Sequence, residues 1–419
     1  MKVILIAFAC HPELGSESAA GWTMALLLAQ SHQVHVVTQS CNRSAISRFV
    51  FGEEIQKNLT FYYVGSAARA YQNRMVARIM SWVSYKRWLT QVQDEFAQIL
   101  RKEKPDLIHH VTIATWRVGI PWMGFGIPVV WGPLGGAAKF PLRFLSGLSF
   151  SGGSFEIVRN LGTYMGRMLP SVVKSCRSAA AIICANGLDA GFLNLIRGQG
   201  KGLYVLSSAH FSVNEVKRFE KAGERKEPYS PLQAFAGGIC IGSKGIRFAL
   251  EALALAREKG TRVEFTVASF GPELNFLKYI TRKLKLCDQV QFHDGFRGEA
   301  YDRALGKSHV FLLPSFREGS PRTILEAMLA GVVPVVCKAS AQGEIVDAKV
   351  GFAIPICSRH ELVRGLADAL ILLDHDRELL QSMGRAARSK VSENYSEKTF
   401  LSKMESIYQE TLQRKGGKQ

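Results

Sequence analysis

The sequence predicts an α/β protein built from two doubly wound domains that face a cleft. Short apolar runs alternate with longer helical patterns, which is typical of parallel sheets covered by helices on both faces. The strand candidates are too many for one ordinary open sheet. The length of 419 residues also exceeds the usual size of one domain. These three observations favour two sheets.

Eleven short apolar runs are predicted to be strands, and longer amphipathic patterns between them are predicted to be helices. The strands are 3–9, 34–38, 60–64, 107–110, 129–131, 180–185, 234–240, 262–268, 290–293, 310–313 and 333–337. The helices are 18–31, 72–103, 154–177, 245–259, 273–285, 299–307, 321–330 and 360–373.

The first apolar run, MKVILIAFAC, has two interpretations. A secretion signal would need a small-residue cleavage site, but His11, Pro12 and Glu13 follow at once. A buried first strand fits better. No uninterrupted apolar stretch approaches 18 residues, so we expect no spanning helix and a cytoplasmic protein.

A polar, charged and proline-bearing stretch near 205–232 predicts the boundary between the domains. We therefore expect one Rossmann-like domain over 1–205 and a second Rossmann-like domain over 206–390. The tail has one apolar helical stripe, which predicts a terminal helix in 391–419 that packs back on the first domain. The stripe comprises Phe400, Met404, Ile407, Tyr408 and Leu412.

The net charge of +18, from 53 Lys and Arg against 35 Asp and Glu, predicts an anionic partner. Nucleic acid, an acidic membrane and phosphorylated ligands all fit this charge. No helix-turn-helix, zinc-finger or RNA-recognition signature is present, which argues against a nucleic-acid binder. None of the eight cysteines has C-x-x-C spacing, so neither a zinc knuckle nor a redox motif is supported.

Most of the positive excess lies in residues 1–210, where two segments interleave cations with aromatic residues. This composition suits the surface of an anionic bilayer, although amphipathic helices packed on a sheet would have it too. One segment contains Arg74, Arg78, Trp82, Tyr85, Lys86, Arg87 and Trp88. The other contains Lys139, Phe140, Arg143, Phe144, Phe150, Phe155, Arg159 and Arg167.

The strongest motif follows the strand at 310–313. Glu318 lies in a loop at the carboxyl end of that strand, and Glu326 lies one to two turns into the next helix. Two carboxylates with seven residues between them are suited to opposite ends of one polyhydroxyl ligand. Pro321 suits the first helical turn, and the amides of Gly319 to Arg322 point towards phosphate or hydroxyl oxygens.

Three weaker signals lie in the first half. Gly15, Ser16 and Glu17 form a loop between a strand and a helix, which is either a phosphate site or a plain turn. The run WGPLGG at 131–136 is either a ligand loop or a structural turn. His109 and His110 end a strand, and alternation sends their side chains to opposite faces. At most one of them then faces the cleft.

The segment FREGSPRTILEAMLAGVVPVV closely resembles the Glu-x7-Glu segment of retaining glycosyltransferases of family 4, which have the GT-B fold. Other segments agree with the family: 238–246 with its Lys-Gly segment, 269–273 with its Gly-Pro turn, 291–296 with its base-binding strand, and 343–346 with a further loop. The segments CHPELGSESAAGW and WGPLGGAAKFP resemble a bacterial surface-polysaccharide subgroup.

The resemblance implies that Glu318 binds hydroxyls of the donor sugar, Glu326 binds the ribose and Lys244 neutralises the diphosphate. One strand-end histidine would contact the sugar near the reacting centre. The family often has His-x-His where these two are adjacent, and we prefer His110 over His109. The implied donor-binding residues are Gly15, Ser16, Lys244, Gly271, Gly295, Phe296, Glu318, Gly319, Ser320, Pro321, Arg322, Thr323 and Glu326.

One position departs from the family, because Ile239 stands where a basic residue is usual. Arg322 is a candidate substitute by position, or the amides at the helix start suffice. No Asp-x-Asp ligand pair is present, so we expect a metal-independent site in which Lys244 and the helix dipole supply positive charge. No cofactor is implied besides the UDP- or GDP-sugar substrate.

The resemblance thus implies a retaining hexosyltransferase that uses a nucleotide-diphosphate sugar. Its acceptor would be a lipid-linked or oligosaccharide glycan of lipopolysaccharide or exopolysaccharide assembly. We expect peripheral attachment to the inner face of the plasma membrane. The alternatives are a nucleotide-sugar epimerase of the same fold and an inactive transferase that still binds the donor.

Overall fold

The computed structural model describes residues 1–15, 17–65, 74–198, 200–224 and 231–416. These ranges hold thirteen strands and sixteen α-helices. The strands are β1 Lys2–Ala7, β2 Gln33–Gln39, β3 Leu59–Val64, β4 Leu107–Thr112, β5 Val129–Leu134, β6 Ala181–Cys184, β7 Leu203–Val205, β8 Leu232–Ile239, β9 Val263–Phe270, β10 Val290–His293, β11 Val310–Leu313, β12 Val333–Cys337 and β13 Phe352–Ile354.

The helices of the first half are α1 Glu17–Ala29, α2 Arg43–Ile46, α3 Glu53–Asn58, α4 Arg74–Glu103, α5 Phe150–Gly166, α6 Pro170–Ser178, α7 Gly187–Arg197 and α8 Val213–Gly223. Those of the second half are α9 Ile246–Glu258, α10 Leu274–Lys283, α11 Glu299–Lys307, α12 Arg322–Leu329, α13 Ser340–Ile345, α14 Arg359–His375, α15 Arg377–Asn394 and α16 Glu397–Gly416.

The strands form two sheets, which confirms the predicted fold class. The first has the order β3-β2-β1-β4-β5-β6-β7 and the second the order β10-β9-β8-β11-β12-β13. Each strand pairs with its neighbours in parallel. The order reverses between β1 and β4 and again between β8 and β11. Ligands of doubly wound sheets bind at the carboxyl ends of the strands beside such reversals.

The elements that the sequence reading missed are short or polar. β7 and β13 have three residues each, too few to show a period. The stretch predicted as one helix over 154–177 is two helices, because Leu169 is extended and Pro170 begins α6. α8 lies inside the stretch predicted as a linker, where Ser212 and Glu215 form a capping box. Residues 225–230 of that stretch lie outside the described residues.

The segment between β5 and α5 packs into the hydrophobic core of the second domain. Phe140 and Phe144 are buried against Phe248 and Phe316, with ring centroids 4.8 to 5.5 Å apart. Both aromatic residues were predicted to meet a membrane, and this is wrong for these two side chains. Their apolar surface is removed from water by the second domain instead.

The terminal helix α16 packs on the first sheet. Phe400, Met404, Ile407 and Tyr408 are buried in a cluster with residues of β1, β2 and α1. The chain therefore passes between the two domains twice. The two passages touch, because Phe211 N–H donates to the Tyr395 carbonyl at 2.8 Å and Glu397 N–H donates to the Phe211 carbonyl at 3.1 Å.

Within the described ranges, no helix combines the length and the apolar character needed to cross a bilayer.

Candidate active site

A cleft of about 1080 Å³ lies between the carboxyl ends of the two sheets. Gly15 lines it after β1, Gly135 after β5, and Gly319 before α12. The two walls come close at the glycines, since a Cβ on Gly135 would lie 3.8 Å from the Cα of Gly319. Both of the glycine-containing loops singled out in the first half therefore border this cleft. Ser16 lies outside the described residues.

Lys244 and Glu318 meet at the edge where the order of the second sheet reverses. Their strands, β8 and β11, are hydrogen-bonded neighbours, so the loops that follow them adjoin. Ser315 Oγ and Phe316 N–H both donate to the Ser243 carbonyl, at 3.1 and 2.8 Å. These bonds bring Lys244 Nζ to 2.6 Å from Glu318 Oε1, and both side chains are largely buried.

Gly245 makes this approach possible. Its φ of +69° is the left-handed conformation that glycine tolerates. A Cβ at this position would lie 2.1 Å from the Pro314 carbonyl oxygen, so any side chain would push the two loops apart. The position of Lys244 relative to Glu318 thus depends on a glycine directly after it.

Glu326 is held on α12 by two side chains. Tyr301 OH donates to Oε2 at 2.8 Å, and Arg322 Nε donates to Oε1 at 3.1 Å. Burial raises the pKa of Glu326, while the charge of Arg322 acts in the opposite direction. Lys244, Glu318 and Glu326 are not among the described residues that line the cleft, because their charged ends contact one another or neighbouring side chains.

Some of the polar groups at the start of α12 already form hydrogen bonds with other parts of the protein. The helix begins at Arg322, with Pro321 as its N-cap, and Thr323 is half-buried. Ser320 Oγ accepts from Ser208 N–H at 3.0 Å, and the Gly319 carbonyl accepts from Asn186 Nδ2 at 3.2 Å. Gly319, Ser320 and Arg322 line the cleft.

Arg322 does not point freely towards the cleft. Its guanidinium donates to Glu215 and, at 2.9 Å, to the His210 carbonyl, and it lies 4.6 Å from the centroid of the Phe211 ring. Ile239, where the family has a cation, is half-exposed at the end of β8. The arginine proposed as its substitute is thus held by the segment that joins the domains.

Gly271 and Gly295 shape the loops that resemble the base-binding region. Gly271 has φ +145°, and a Cβ there would lie 2.5 Å from the Cys240 carbonyl oxygen. Gly295 has φ +77°. The ring of Phe296 stacks on Phe235 with centroids 6.5 Å apart, so this partly buried side chain packs against the core of the second domain.

Neither His109 nor His110 reaches the cleft. Both rings are fully buried, because each face of the central strand β4 is covered by helices. His109 contacts Tyr408 OH at 2.6 Å and the Gly132 carbonyl at 2.8 Å. His110 accepts from Trp122 Nε1 at 2.9 Å and contacts Tyr85 OH at 2.8 Å. With both ring nitrogens occupied, neither histidine is placed to touch a sugar.

Burial keeps these imidazoles neutral. It lowers the pKa of His109 to about 4, and the hydrogen bond to Gly132 opposes the change only in part. It lowers the pKa of His110 to about 3, and the neighbouring His109 adds to the effect. Alternation along β4 correctly placed the two side chains on opposite faces of the strand. The prediction that one of them faces the cleft is wrong, because both faces are covered.

The sequence reading gave no role to the arginine of the Arg-Glu-Gly run or to its partner. Arg317 forms a bidentate ion pair with Glu156 of α5, and Arg317 Nη2 also donates to Ser243 Oγ at 3.0 Å. The Glu156 carboxylate is fully buried. One feature of the sequence could have indicated the role of Glu156, because it is the single acidic residue between Asp106 and Asp189. A lone carboxylate in a cationic stretch indicates a specific partner.

Glu273 is a second carboxylate that joins α5 to the second domain. It is buried and accepts from the N–H of Ser149 at 3.2 Å and from the Ser149 hydroxyl. Ser149 is the N-cap of α5. The helix is therefore anchored to the second domain at its first residue and again at Glu156.

Residues 221–390 match the family model of glycosyl transferases group 1. This segment includes Lys244, Glu318 and Glu326. A curated relative, the putative colanic acid biosynthesis glycosyltransferase WcaL of Escherichia coli K12, is 29% identical over 192 residues. The alignment covers 44% of this chain and 46% of the relative, so the chain spans about half the length of this curated relative.

Two solved structures resemble almost the whole chain. Sucrose-phosphate synthase from Thermosynechococcus elongatus has a TM-score of 0.65 at 14% identity, with 98% of each chain covered. Alr3699/HepE of Anabaena, in complex with UDP and glucose, has a TM-score of 0.60 at 14% identity, with 98% of this chain and 100% of that chain covered. At these identities the likeness establishes the GT-B arrangement of the two sheets.

Proposed function

We propose that the protein is a glycosyltransferase that moves a hexose from a nucleotide-diphosphate sugar to a glycan acceptor with retention of configuration. The observation that carries this proposal is the Lys244–Glu318 pair. It lies within the segment that matches glycosyl transferases group 1, at the reversal of strand order in the second sheet. From the first domain, the loop of Gly15 faces the cleft that Gly319, the neighbour of Glu318, lines from the second.

Each residue has a chemical task in this proposal. Lys244 stabilises the negative charge that grows on the departing diphosphate, because a fixed cation acts most strongly where charge develops. The dipole of α12 adds positive potential at Gly319 and Ser320. Glu318 accepts hydrogen bonds from sugar hydroxyls once the ligand displaces part of its contact with Lys244. Glu326 accepts hydrogen bonds from the ribose hydroxyls, and Glu318 acts as a binding carboxylate rather than as a nucleophile.

The relatives support the ligand class. A similar structure holds UDP and glucose, and a curated relative is named for colanic acid biosynthesis. We propose that this chain likewise uses a UDP- or GDP-sugar, without a metal cofactor, in the assembly of a surface polysaccharide. Its acceptor is then a lipid-linked or oligosaccharide glycan, which enters from the first-domain side of the cleft.

Attachment to the inner face of the membrane is part of the proposal. Phe140 and Phe144 are excluded from it by their burial, but Phe150 is 93% exposed at the start of α5. The residues of the other segment up to 82 have no described side chains, and Tyr85 and Trp88 are buried. Flotation with neutral and with anionic vesicles tests attachment, and negligible binding to both would contradict it.

The donor site is tested by thermal shift with UDP, GDP and their hexose derivatives. A ligand that binds the folded state raises the melting temperature. We expect one nucleotide class to stabilise the protein and Glu326→Ala to weaken that effect. Lys244→Ala should slow transfer by about 100-fold or more, because the leaving diphosphate loses its cation.

Lys259→Ala is the matched control, since Lys259 forms an exposed ion pair with Asp368 away from the cleft. Transfer and nucleotide binding that stay unchanged in both site variants would overturn the assignment. Incubation with donor alone separates the epimerase alternative, because an epimerase changes the configuration of the sugar without an acceptor. An inactive donor-binding protein would show the thermal shift and no transfer.

A further inference from the structure

The wall of the cleft that contains α5 lies in a strongly cationic part of the chain. Between Asp106 and Asp189 the sequence has seven Lys and Arg and one acidic residue, Glu156. Glu156 is fully buried and neutralised by Arg317. The charge that this part of the chain presents to a ligand is therefore positive, and a negatively charged ligand complements it.

Two of these cations converge inside the cleft. Arg117 Nη2 donates to the Gly136 carbonyl at 2.6 Å, and Arg159 Nη2 donates to the same oxygen at 3.4 Å. Both residues line the cleft. Among the described residues, no carboxylate forms an ion pair with Arg117. Two adjacent guanidinium groups match the oxygens of a phosphate in charge and in planar geometry.

The environment of Arg117 favours an incoming anion. Burial lowers its pKa to about 10, the nearby Arg317 acts in the same direction, and the charge of Asp189 opposes them in part. An anion between Arg117 and Arg159 would offset both effects. Thr163 Oγ1 accepts from Arg117 at 2.8 Å and donates to the Arg159 carbonyl, so the pair is positioned from the same turn of α5.

An apolar stripe leads out of the cleft along α5. Val158 lines the cleft, and Leu161 and Met165 follow at helical spacing, with exposed fractions of 69%, 58% and 60%. Met168, just beyond the helix, is 71% exposed. The stripe is thus continuous with the arginine pair and contains no charge. An anionic head with a hydrocarbon chain fits both parts at once.

We propose that the α5 wall binds a lipid phosphate. Arg117 and Arg159 bind the phosphate oxygens, and the hydrocarbon chain lies along Val158, Leu161 and Met165. The inference rests on the proposed function, in which this ligand is the anchor of the acceptor glycan. A free diphosphate, or the diphosphate of the donor, has the same anionic chemistry without the chain, and the experiment separates these sources.

Binding is measured by calorimetry with farnesyl diphosphate, inorganic diphosphate and UDP, on the whole chain and without any acceptor glycan. We expect farnesyl diphosphate to bind at least about tenfold more tightly than inorganic diphosphate, because its chain buries apolar surface. The variant Leu161→Ser with Met165→Ser should abolish that preference. Arg159→Gln should weaken farnesyl diphosphate binding by about tenfold and leave UDP binding unchanged.

Leu195→Ser is the matched control, because Leu195 is 79% exposed on α7, outside the lining of the cleft. It should leave all three affinities unchanged. Equal affinity for farnesyl and inorganic diphosphate would overturn the inference, as would loss of UDP binding in Arg159→Gln with farnesyl diphosphate unaffected. Lys244→Ala should weaken UDP binding alone. Absence of UDP binding with intact farnesyl diphosphate binding would contradict a UDP-sugar as the donor and not this site.

Discussion

His109 and His110 are residues whose hydrogen bonds specify their protonation state. Trp122 donates to Nδ1 of His110, so that nitrogen carries no proton and Nε2–H faces Tyr85. The Gly132 carbonyl requires a donor, so Nε2 of His109 carries its proton and Nδ1 accepts from Tyr408. Protonation of either ring would place a second hydrogen against a donor and a charge in the core.

This arrangement predicts a loss of stability in mild acid. The folded pKa of His109 is about 4, against 6.5 for the ordinary group, so below pH 6.5 the unfolded chain binds a proton that the folded chain does not. Between pH 7.5 and 5, each of the two histidines should lower the free energy of unfolding by about 2 kcal/mol. Urea unfolding at the two pH values measures this change.

The variant His109→Gln should lose less stability than the native chain over that interval, by about 2 kcal/mol. His360→Gln, at an exposed position, is the control for removal of an imidazole. If His109→Gln and the native chain lost stability in parallel, the neutral buried state of His109 would be wrong.

For single residues, the sequence could predict which side chains have functional groups suited to a site. It could less readily predict the direction in which those side chains point. The run REGSPRTILE predicted two carboxylates near one strand end, and both are found there. The adjacent histidines predicted one ring in the cleft, whereas both lie in the core. The sequence of β4 does not reveal that Tyr85 and Tyr408, from helices far apart in the chain, cover its two faces.

The helix α5 is an element shared between the domains. Glu156 and Ser149 bind it to the second domain, and Thr163 binds it to Arg117 of the first. We predict that Glu156→Gln lowers the free energy of unfolding by roughly 3 kcal/mol, because it leaves the buried charge of Arg317 without its counter-charge. Denaturant unfolding measures the loss, and hydrogen exchange shows whether α5 loses protection.

Glu299→Gln is the control for the α5 prediction. Glu299 forms a helical ion pair with Arg303 in which the carboxylate is 89% exposed, and such pairs contribute about 0.5 kcal/mol or less. A cost for Glu156→Gln as small as that of the control would mean that the buried pair does not stabilise the attachment of α5.

Elements with a clear apolar period were predictable, and those defined by contacts between domains were not. The eleven predicted strands are all present, three of them with the predicted ends (290–293, 310–313 and 333–337) and eight with shifted ends. The mixture of aromatic and basic residues over 139–167 could not be resolved from the sequence. Phe144 is buried under the second domain and Phe150 is exposed to solvent, yet both lie in the same local sequence pattern of aromatic and basic residues.

Glu344 of α13 makes one of the contacts that hold the two domains together. Its carboxylate accepts from the N–H groups of Gly187 and Leu188 at the start of α7, at 3.0 and 3.2 Å. It thereby joins the second domain to the positive end of a first-domain helix. We predict that Glu344→Ala increases the radius of gyration in small-angle scattering without ligand, because this contact is lost.

Glu393→Ala is the control at the scale of the whole molecule, since Glu393 contacts Ser389 of its own helix. Scattering curves of Glu344→Ala and the native chain that superimpose would contradict the prediction. Two domains could be predicted from the number of strands. The polar contacts between them are made by single residues such as Glu156 and Glu344, and nothing in the local sequence of these residues reveals their partners.

The double passage between the domains limits how the cleft opens. A single connecting strand lets two bodies both bend and twist. Here the passages at Phe211 and Ser396 are bonded side by side, so they behave as one short two-stranded ribbon. Twist about the connection would break those bonds, whereas rotation around one axis through the ribbon would not. We therefore expect the cleft to widen most at the side farthest from Phe211.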